Sequence, residues 1–366
     1  DMTDSLKIAD EKGVKVDFVI EEKENEEPNY AYMELEGEDG SELRLGTTSI
    51  GGGAIEIIEI DGYPICIRGD FNTVFIYVKE NAGVAEIKEK AEKIIGGQCK
   101  IKEISKESAC LLCIETRVFV NEKQIGELEQ TEGIEKVRYT EHVLPVLSRF
   151  VYEGIPFRTA VEALEFGEKN NISSAGELGI RYEMKRSGYS RDEVMDMMKK
   201  IIRVMRESAH RGIENKIGEK IGGLYPIKAA EMYENVRSGN KKLAGIGILN
   251  EIVCVAIGVL ESVEIERPGA VVASPTVGSV GILPAAVVYL GDSMGMSDDE
   301  IAMAMFAAGS VGTFVAHQAT FGGEVAGCQA ECGSAGAMAA AGIVELMGGT
   351  ASQAFMAATI TIQNIL

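Results

Sequence analysis

The composition of the chain changes along its length, and the last two hundred residues limit the possible folds most. From about residue 144 onward helical periodicity takes over and Ala, Gly and Met rise sharply, so this part is expected to be all-helical. Small-residue breaks at Lys220-Ile221-Gly222-Gly223, Ser238-Gly239-Asn240 and Pro275 to Gly281 would separate those helices or line a cavity between them. The stretches 301–323 and 346–366 lack Asp, Glu, Lys and Arg, and their length alone would allow a membrane span. Their Gly, Thr, Ser and Gln content and few Leu, Ile and Phe point instead to buried helices of a packed core.

The front of the chain follows a different pattern. Residues 1–68 are charged and strand-like, with alternating runs at Val16-Asp17-Phe18-Val19-Ile20 and Ala31-Tyr32-Met33-Glu34-Leu35. A turn at Gly37-Glu38-Asp39-Gly40 leads into Glu42-Leu43-Arg44-Leu45. One short helix is expected ahead of these strands. From about 70 to 141 the pattern predicts strand Thr73–Lys79, helix Val84–Ile95, strands Cys99–Ser105 and Ala109–Arg117, helix Glu122–Glu129 and strand Ile134–Thr140. That order, βαββαβ, gives an antiparallel sheet with two helices on one face.

Composition excludes some partners. A net charge of -21 and a pI near 4.7 argue against nucleic acid or an anionic membrane, because Lys and Arg must neutralise phosphates there. Seven cysteines, at 66, 99, 110, 113, 254, 328 and 332, show no framework spacing, which fits a reducing cytosol. The opening Asp1-Met2-Thr3-Asp4 shows neither a basic nor an apolar leader segment. The chain starts mid-pattern and stops inside an apolar run at Ile365-Leu366, so a piece of a longer protein is expected.

Several residues could carry chemistry. Cys328 lies in Gly327-Cys328-Gln329-Ala330-Glu331-Cys332-Gly333-Ser334-Ala335, where a helix N-terminus would favour the thiolate that binds metal. Cys332, four residues on, could share its helical face. The loop Ser274-Pro275-Thr276-Val277-Gly278-Ser279-Val280-Gly281 offers hydroxyls and bare N–H groups to a small anion such as an amino-acid carboxylate. It lacks the Lys and the spacing of a nucleotide-binding P-loop. His142, His210 and His317 form no local metal pattern, although His317 lies eleven positions before Cys328 and could share a cavity with it. Cys110 and Cys113 fall three apart in a strand and so face opposite sides of a sheet. Gly51-Gly52-Gly53, between Ser49-Ile50 and the strand that follows, marks either a close approach or a bulge.

Three of these blocks together resemble the iron–sulfur L-serine dehydratases (L-serine ammonia-lyases). Ser49 to Glu56 resembles the Ser-Ile-Gly-Gly-Gly-x-Ile-Glu signature of their β portion, Ala273 to Gly281 the Pro-Thr-x-Gly-Ser-x-Gly loop of their α portion, and Gly327 to Ala335 its Gly-Cys-Gln-Ala-Glu-x-Gly-Ser-Ala. The resemblance implies a multidomain α+β chain. Residues 1–68 would be the end of a β-rich α/β domain, 69–143 an ACT (ferredoxin-like) regulatory domain, and 144–366 an all-α catalytic domain, incomplete at its end.

The resemblance further implies a carbon-nitrogen lyase that eliminates water from L-serine and yields pyruvate and ammonia in amino-acid degradation and gluconeogenesis. Cys328 would be one of three cysteines on a 4Fe-4S cluster, the other two lying beyond Leu366. Cys332 falls where the family varies and is not counted as a ligand. Thr276, Gly278, Ser279 and Gly281, with His317 and Gln318, would line the substrate end; no catalytic base is assigned. Asn81, Ala82 and Gly83 would sit at an amino-acid effector site. A cytosolic homodimer follows from the same resemblance. Two departures, Glu261 to Glu266 in place of Asn-Glu-x-Asn and His317-Gln318-Ala319-Thr320 in place of Asn-Asn-Ala-Ser, leave L-cysteine, as in cysteine desulfidases, as a competing substrate. A non-catalytic amino-acid-sensing ACT protein is the other alternative.

Overall fold

The computed structural model of the chain describes residues 4–21, 29–51, 54–69, 71–106, 109–142, 155–214, 218, 220–221, 224–239, 247–264 and 269–365. The chain divides into two compact units, one of residues 23–50 and 54–148, the other of residues 1–22, 51–53 and 149–366. The chain begins with the short helix α1 (Ser5–Glu11), in the second of these units. The alternating run Val16–Ile20 forms no strand, and Phe18, Val19 and Ile20 are 79%, 82% and 93% exposed. Alternation satisfies the pattern of a strand, but no strand among the described residues pairs with it, and a lone strand does not hold.

The other unit is built from two four-stranded sheets. The first joins β1 (Tyr30–Glu36), β2 (Glu42–Gly51), β3 (Ala54–Ile60) and β4 (Tyr63–Ile67) in chain order. The expected turn at Gly37–Gly40 links β1 to β2, with Glu36 opposite Glu42. Between β3 and β4 the two-residue turn Asp61-Gly62 has positive φ at both positions, 47° and 82°, the geometry that a tight hairpin requires. Gly52 and Gly53 of the glycine run lie outside the described residues, as do Gly222, Gly223, Asn240 and the segment 265–268.

The second sheet follows the βαββαβ order closely: β5 (Asn72–Val78), α2 (Val84–Ile95), β6 (Cys99–Lys106), β7 (Ala109–Thr116), α3 (Glu122–Glu129) and β8 (Ile134–Thr140). Its strands lie in the order β6-β7-β5-β8, each pair antiparallel. Strand β5 is buried along its whole length, because both faces of the sheet are covered. Val74, Ile76 and Val78 meet Ile87, Ala91 and Ile95 of α2 and Leu128 of α3. Phe75 and Tyr77, on the opposite face, pack with Ile60, Tyr63 and Ile67 of the first sheet. Cys110 packs on the helix side and Cys113 on the sheet side, as two residues three apart in a strand must.

The remaining unit is helical, with one correction: Lys220–Ile221 (β9) pairs with Tyr225–Pro226 (β10) in a minimal ladder. Helices α4 (Ala160–Asn170), α5 (Ala175–Ser187), α6 (Arg191–Ile213), α7 (Ala229–Arg237) and α8 (Ile248–Glu264) come before the small-residue loop. After it come a π-helical stretch Pro284–Tyr289 that runs into α9 (Leu290–Ser293), then α10 (Asp298–Gln318), α11 (Gly323–Ala326), α12 (Cys328–Leu346) and α13 (Ala351–Ile365). Capping boxes at Thr159/Glu162, Ser190/Glu193 and Ser297/Glu300 start α4, α6 and α10. Helix α10 is long and apolar enough to cross a membrane, yet Ile301, Ala304, Ala307 and Ala308 have no exposed surface and it packs as a core helix between α5 and α12.

Asp61 ties the two sheets together. Its Oδ1 accepts the Arg44 N–H at 2.9 Å, and its Oδ2 accepts the Tyr77 hydroxyl at 2.5 Å and the Arg138 Nε at 3.2 Å. Burial pushes this carboxyl up, but the hydrogen bonds from Tyr77 and Arg44 and the charge of Arg138 outweigh burial and hold it below the usual carboxylate range. A depressed value in the folded state stabilises above the unfolded carboxylate pKa, about 4, and that contribution is lost as pH falls through the folded value. Asp61→Asn is expected to cost about 1–2 kcal/mol at neutral pH and to reduce the loss of stability on acidification below about pH 4. Urea unfolding at pH 7 and pH 3 checks both.

Candidate functional site

The loop after α8 is anchored from behind. A Cβ on Gly281 would run into the Ala256 carbonyl of α8, so this glycine is a close packing contact between chain segments. Thr276 and Ser279 are 1% and 2% exposed, and their hydroxyl oxygens lie 3.2 Å apart, Thr276 just before the 3-10 turn Val277–Ser279 and Ser279 at its end. The Ser279 hydroxyl also lies 3.3 Å from the Thr276 carbonyl. Both hydroxyls are thus engaged in building the loop, while Gly278, at the tip of the turn, is exposed.

Helix α12 begins at Gly327, whose φ of 74° suits glycine. Among the described residues no side chain caps its first N–H groups, so an acceptor or anion can approach them. Cys328, the first helical residue, is exposed, and so is Cys332 one turn on. Burial, with the charges of Glu331 and Cys328, pushes the Cys332 thiol up. Among the described residues no three His, Cys, Asp or Glu side chains converge to hold a metal ion.

Glu331 joins this helix to the loop. Its Oε1 accepts the Thr276 hydroxyl at 2.7 Å, and a Cβ on Gly278 would stand 2.8 Å from the same oxygen. A Cβ on Gly323, in α11, would stand 2.8 Å from Oε2. Sequence reasoning missed Glu331 as a site residue; the available signal was a carboxylate three positions after Cys328, one helical turn away.

His317 and Gln318 end α10, His317 partly buried and Gln318 exposed. The His317 Nε2 lies 2.7 Å from the hydroxyl of Tyr182 on α5, a second partner the sequence did not announce. The Phe157 ring lies tilted against Tyr182, with centroids 5.4 Å apart, and meets Phe314 at 6.2 Å. Burial pushes the Tyr182 phenol up to about 12. Burial, followed by the positive charge of Arg158, pushes the His317 imidazole below its ordinary range.

In the βαββαβ unit, Asn81, Ala82 and Gly83 border a cavity of about 510 Å3 that also takes in Lys79, Lys90 and Gly133. Asn81 holds φ at 63°, and the Ala82 N–H donates to the Lys79 carbonyl, which bends the chain around the cavity mouth. The space is polar and open, with both cationic and acidic side chains on its rim.

The His317 environment yields a direct prediction. Its imidazole is expected to titrate below about 6.5, and Arg158→Ala to raise the midpoint; histidine NMR across pH 5–8 measures both. A wild-type midpoint above 7 contradicts the burial described.

Comparison with known proteins covers most of the chain. The family described as "Serine dehydratase alpha chain" matches residues 80–366. The probable L-serine dehydratase alpha chain of Bacillus subtilis is 31% identical over 210 residues, 57% of this chain and 68% of that protein. The L-serine dehydratase alpha chain of Peptoniphilus asaccharolyticus is 36% identical over 193 residues, 52% and 63% of the respective chains. L-serine dehydratase 1 of Escherichia coli is 30% identical over 214 residues, 58% and 46% of the respective chains. The matched segment therefore spans about half to two thirds of the length of these relatives. The chain belongs to the serine dehydratase alpha chain family.

Proposed function

We propose that the chain is the catalytic part of an L-serine ammonia-lyase, which removes water from L-serine to give pyruvate and ammonia. The observation that carries this reading is the hydrogen bond from Thr276 to Glu331, which ties the small-residue loop to the helix turn that presents Cys328. Relatives named L-serine dehydratase support it.

The residues present suit one corner of an iron–sulfur site. Cys328 supplies an exposed soft donor at a helix start with no side-chain cap. A bound 4Fe-4S cluster would supply Lewis-acid chemistry toward the β-hydroxyl of serine. The chain's own share is to hold the amino acid. The loop presents backbone at the exposed Gly278, Glu331 fixes the loop's distance from α12, and the Tyr182–His317 pair offers an imidazole whose protonation burial disfavours.

The division into 1–68, 69–143 and 144–366 stands as part of the same proposal, with the first two as the end of the β portion and an ACT domain. The cavity at Asn81–Gly83 suits an amino-acid effector, with Lys79 to answer a carboxylate, while Lys90 and Glu86 pair with each other at 2.8 Å on its rim. Seven free cysteines suit a reducing cytosol, and a homodimer completes the reading.

Full-length protein purified without oxygen is expected to be brown and to release pyruvate from L-serine. Cys328→Ser should bleach it and reduce pyruvate release to background. Retention of both colour and activity in that variant overturns the assignment, and faster release of sulfide from L-cysteine than of ammonia from L-serine transfers it to the desulfidase class.

A further inference from the structure

An amino acid carries a positive charge as well as a carboxylate, and a loop that offers only backbone N–H groups and engaged hydroxyls has nothing to meet it. Glu331 is the carboxylate placed to do so. Its Oε1 is occupied by the Thr276 hydroxyl at 2.7 Å. Oε2 makes no hydrogen bond among the described residues, and no Lys, Arg or His among them pairs with the group. The carboxylate lies beside two glycines, Gly278 and Gly323, at positions where a Cβ would come within 2.8 Å of it. Gly278 is exposed, and Gly323 and Glu331 are partly buried, so the carboxylate is not sealed in the core.

The hydrogen bonds also fix its orientation. A carboxylate only accepts, so the Thr276 hydroxyl must donate to Glu331. The Ser279 hydroxyl, 3.2 Å from Thr276 Oγ1, 3.3 Å from the Thr276 carbonyl and 3.5 Å from the Ser274 carbonyl, is then left to donate to one of those oxygens. Thr276 is 1% exposed and Ser279 2%, so water does not compete for this relay. A half-buried carboxylate without a cation is unfavourable until a cation arrives, and here the geometry holds it ready.

We propose that Glu331 recognises the α-ammonium group of the substrate, with Thr276 as the positioning residue that turns Oε2 toward it. This rests on the reading of the site as an amino-acid lyase. Cys328 and Glu331 are three residues apart on α12, and side chains so spaced are neighbours on one helix face. The amino group and the β-substituent of one small amino acid, carried on adjacent carbons, are a similarly close pair.

The test separates charge from scaffolding. Glu331→Gln keeps an amide oxygen that can accept from Thr276 but removes the negative charge; Thr276→Val keeps the charge and removes the donor. The probes are L-alanine, which has the ammonium and carboxylate but no β leaving group, and propionate, which lacks the ammonium. Competition by each against L-serine turnover is measured in the full-length holoenzyme and both variants, and direct calorimetric titration repeats the comparison without turnover. Wild type is expected to bind L-alanine about 10- to 100-fold more tightly than propionate. In Glu331→Gln that preference should fall to within about threefold of unity, with the melting temperature and the cluster colour kept, and Thr276→Val should fall between. A wild-type enzyme that turns over L-serine while Glu331→Gln keeps the full preference overturns this proposal alone. A loss of preference that comes only with loss of colour or of melting temperature also overturns it, by reducing Glu331 to a structural clamp. A wild type that neither binds L-alanine nor turns over L-serine removes the lyase reading and this proposal with it.

Discussion

Contact of helix backbones across glycine is the constraint on which the helical unit depends. Gly212 of α6 and Gly258 of α8 lie so close that a Cβ on either would meet the backbone of the other. Gly176 and Gly179 of α5 do the same against the Met303 and Phe306 carbonyls of α10, and Gly342 of α12 stands against Val287 and the Ala304 carbonyl. Dispersion between atoms falls off steeply with separation, so these approaches bring many weak contacts into range at once. A single methyl group inserted at such a crossing displaces two helices rather than one side chain.

The site inherits its geometry from this packing. Helix α8 is pressed by α6 on one side and by Gly281 on the other, which fixes where the 274–281 loop begins its turn. Helix α12 is held by α10 and α13, which fixes where Cys328 and Glu331 emerge. The Thr276–Glu331 hydrogen bond then closes a short gap between two segments already positioned. A bond of this kind contributes about 1.5–3 kcal/mol when one partner is charged, enough to set a loop's conformation but not to create the arrangement around it.

Local periodicity was a reliable guide where neighbours agreed with it. Helix Val84–Ile95, helix Glu122–Glu129 and strand Ile134–Thr140 begin and end where the pattern predicts, since in each the apolar positions match the face that the partner element covers. The run Val16–Ile20 carries the same alternation and forms no strand, because pairing is a property of the neighbour and not of the run. At the site, the helix start at Cys328 was legible from its glycine flank, whereas the close contact of Gly281 with α8 was not. Glu331 and Tyr182 were illegible for a common reason. Their partners, Thr276 and His317, are 55 and 135 residues away along the chain, and no spacing rule reaches across that distance.

The sandwich in the other unit has a consequence for assembly. Helices α2 and α3 cover one face of the second sheet and the first sheet covers the other, so neither face is open to a further layer. Only the margins remain, strand β6 on one side and β8 on the other. Both margins carry charge along their length: Lys100, Lys102, Glu103 and Lys106 on β6, and Glu135, Lys136 and Arg138 on β8. Charged side chains on an outer strand discourage indiscriminate strand addition. Several of these charges are already answered within the unit, Lys102 by Glu115, Glu103 by Lys88 and Arg138 by Asp61, so a strand added at either margin would have to displace those pairs, which makes the margins resistant to aggregation.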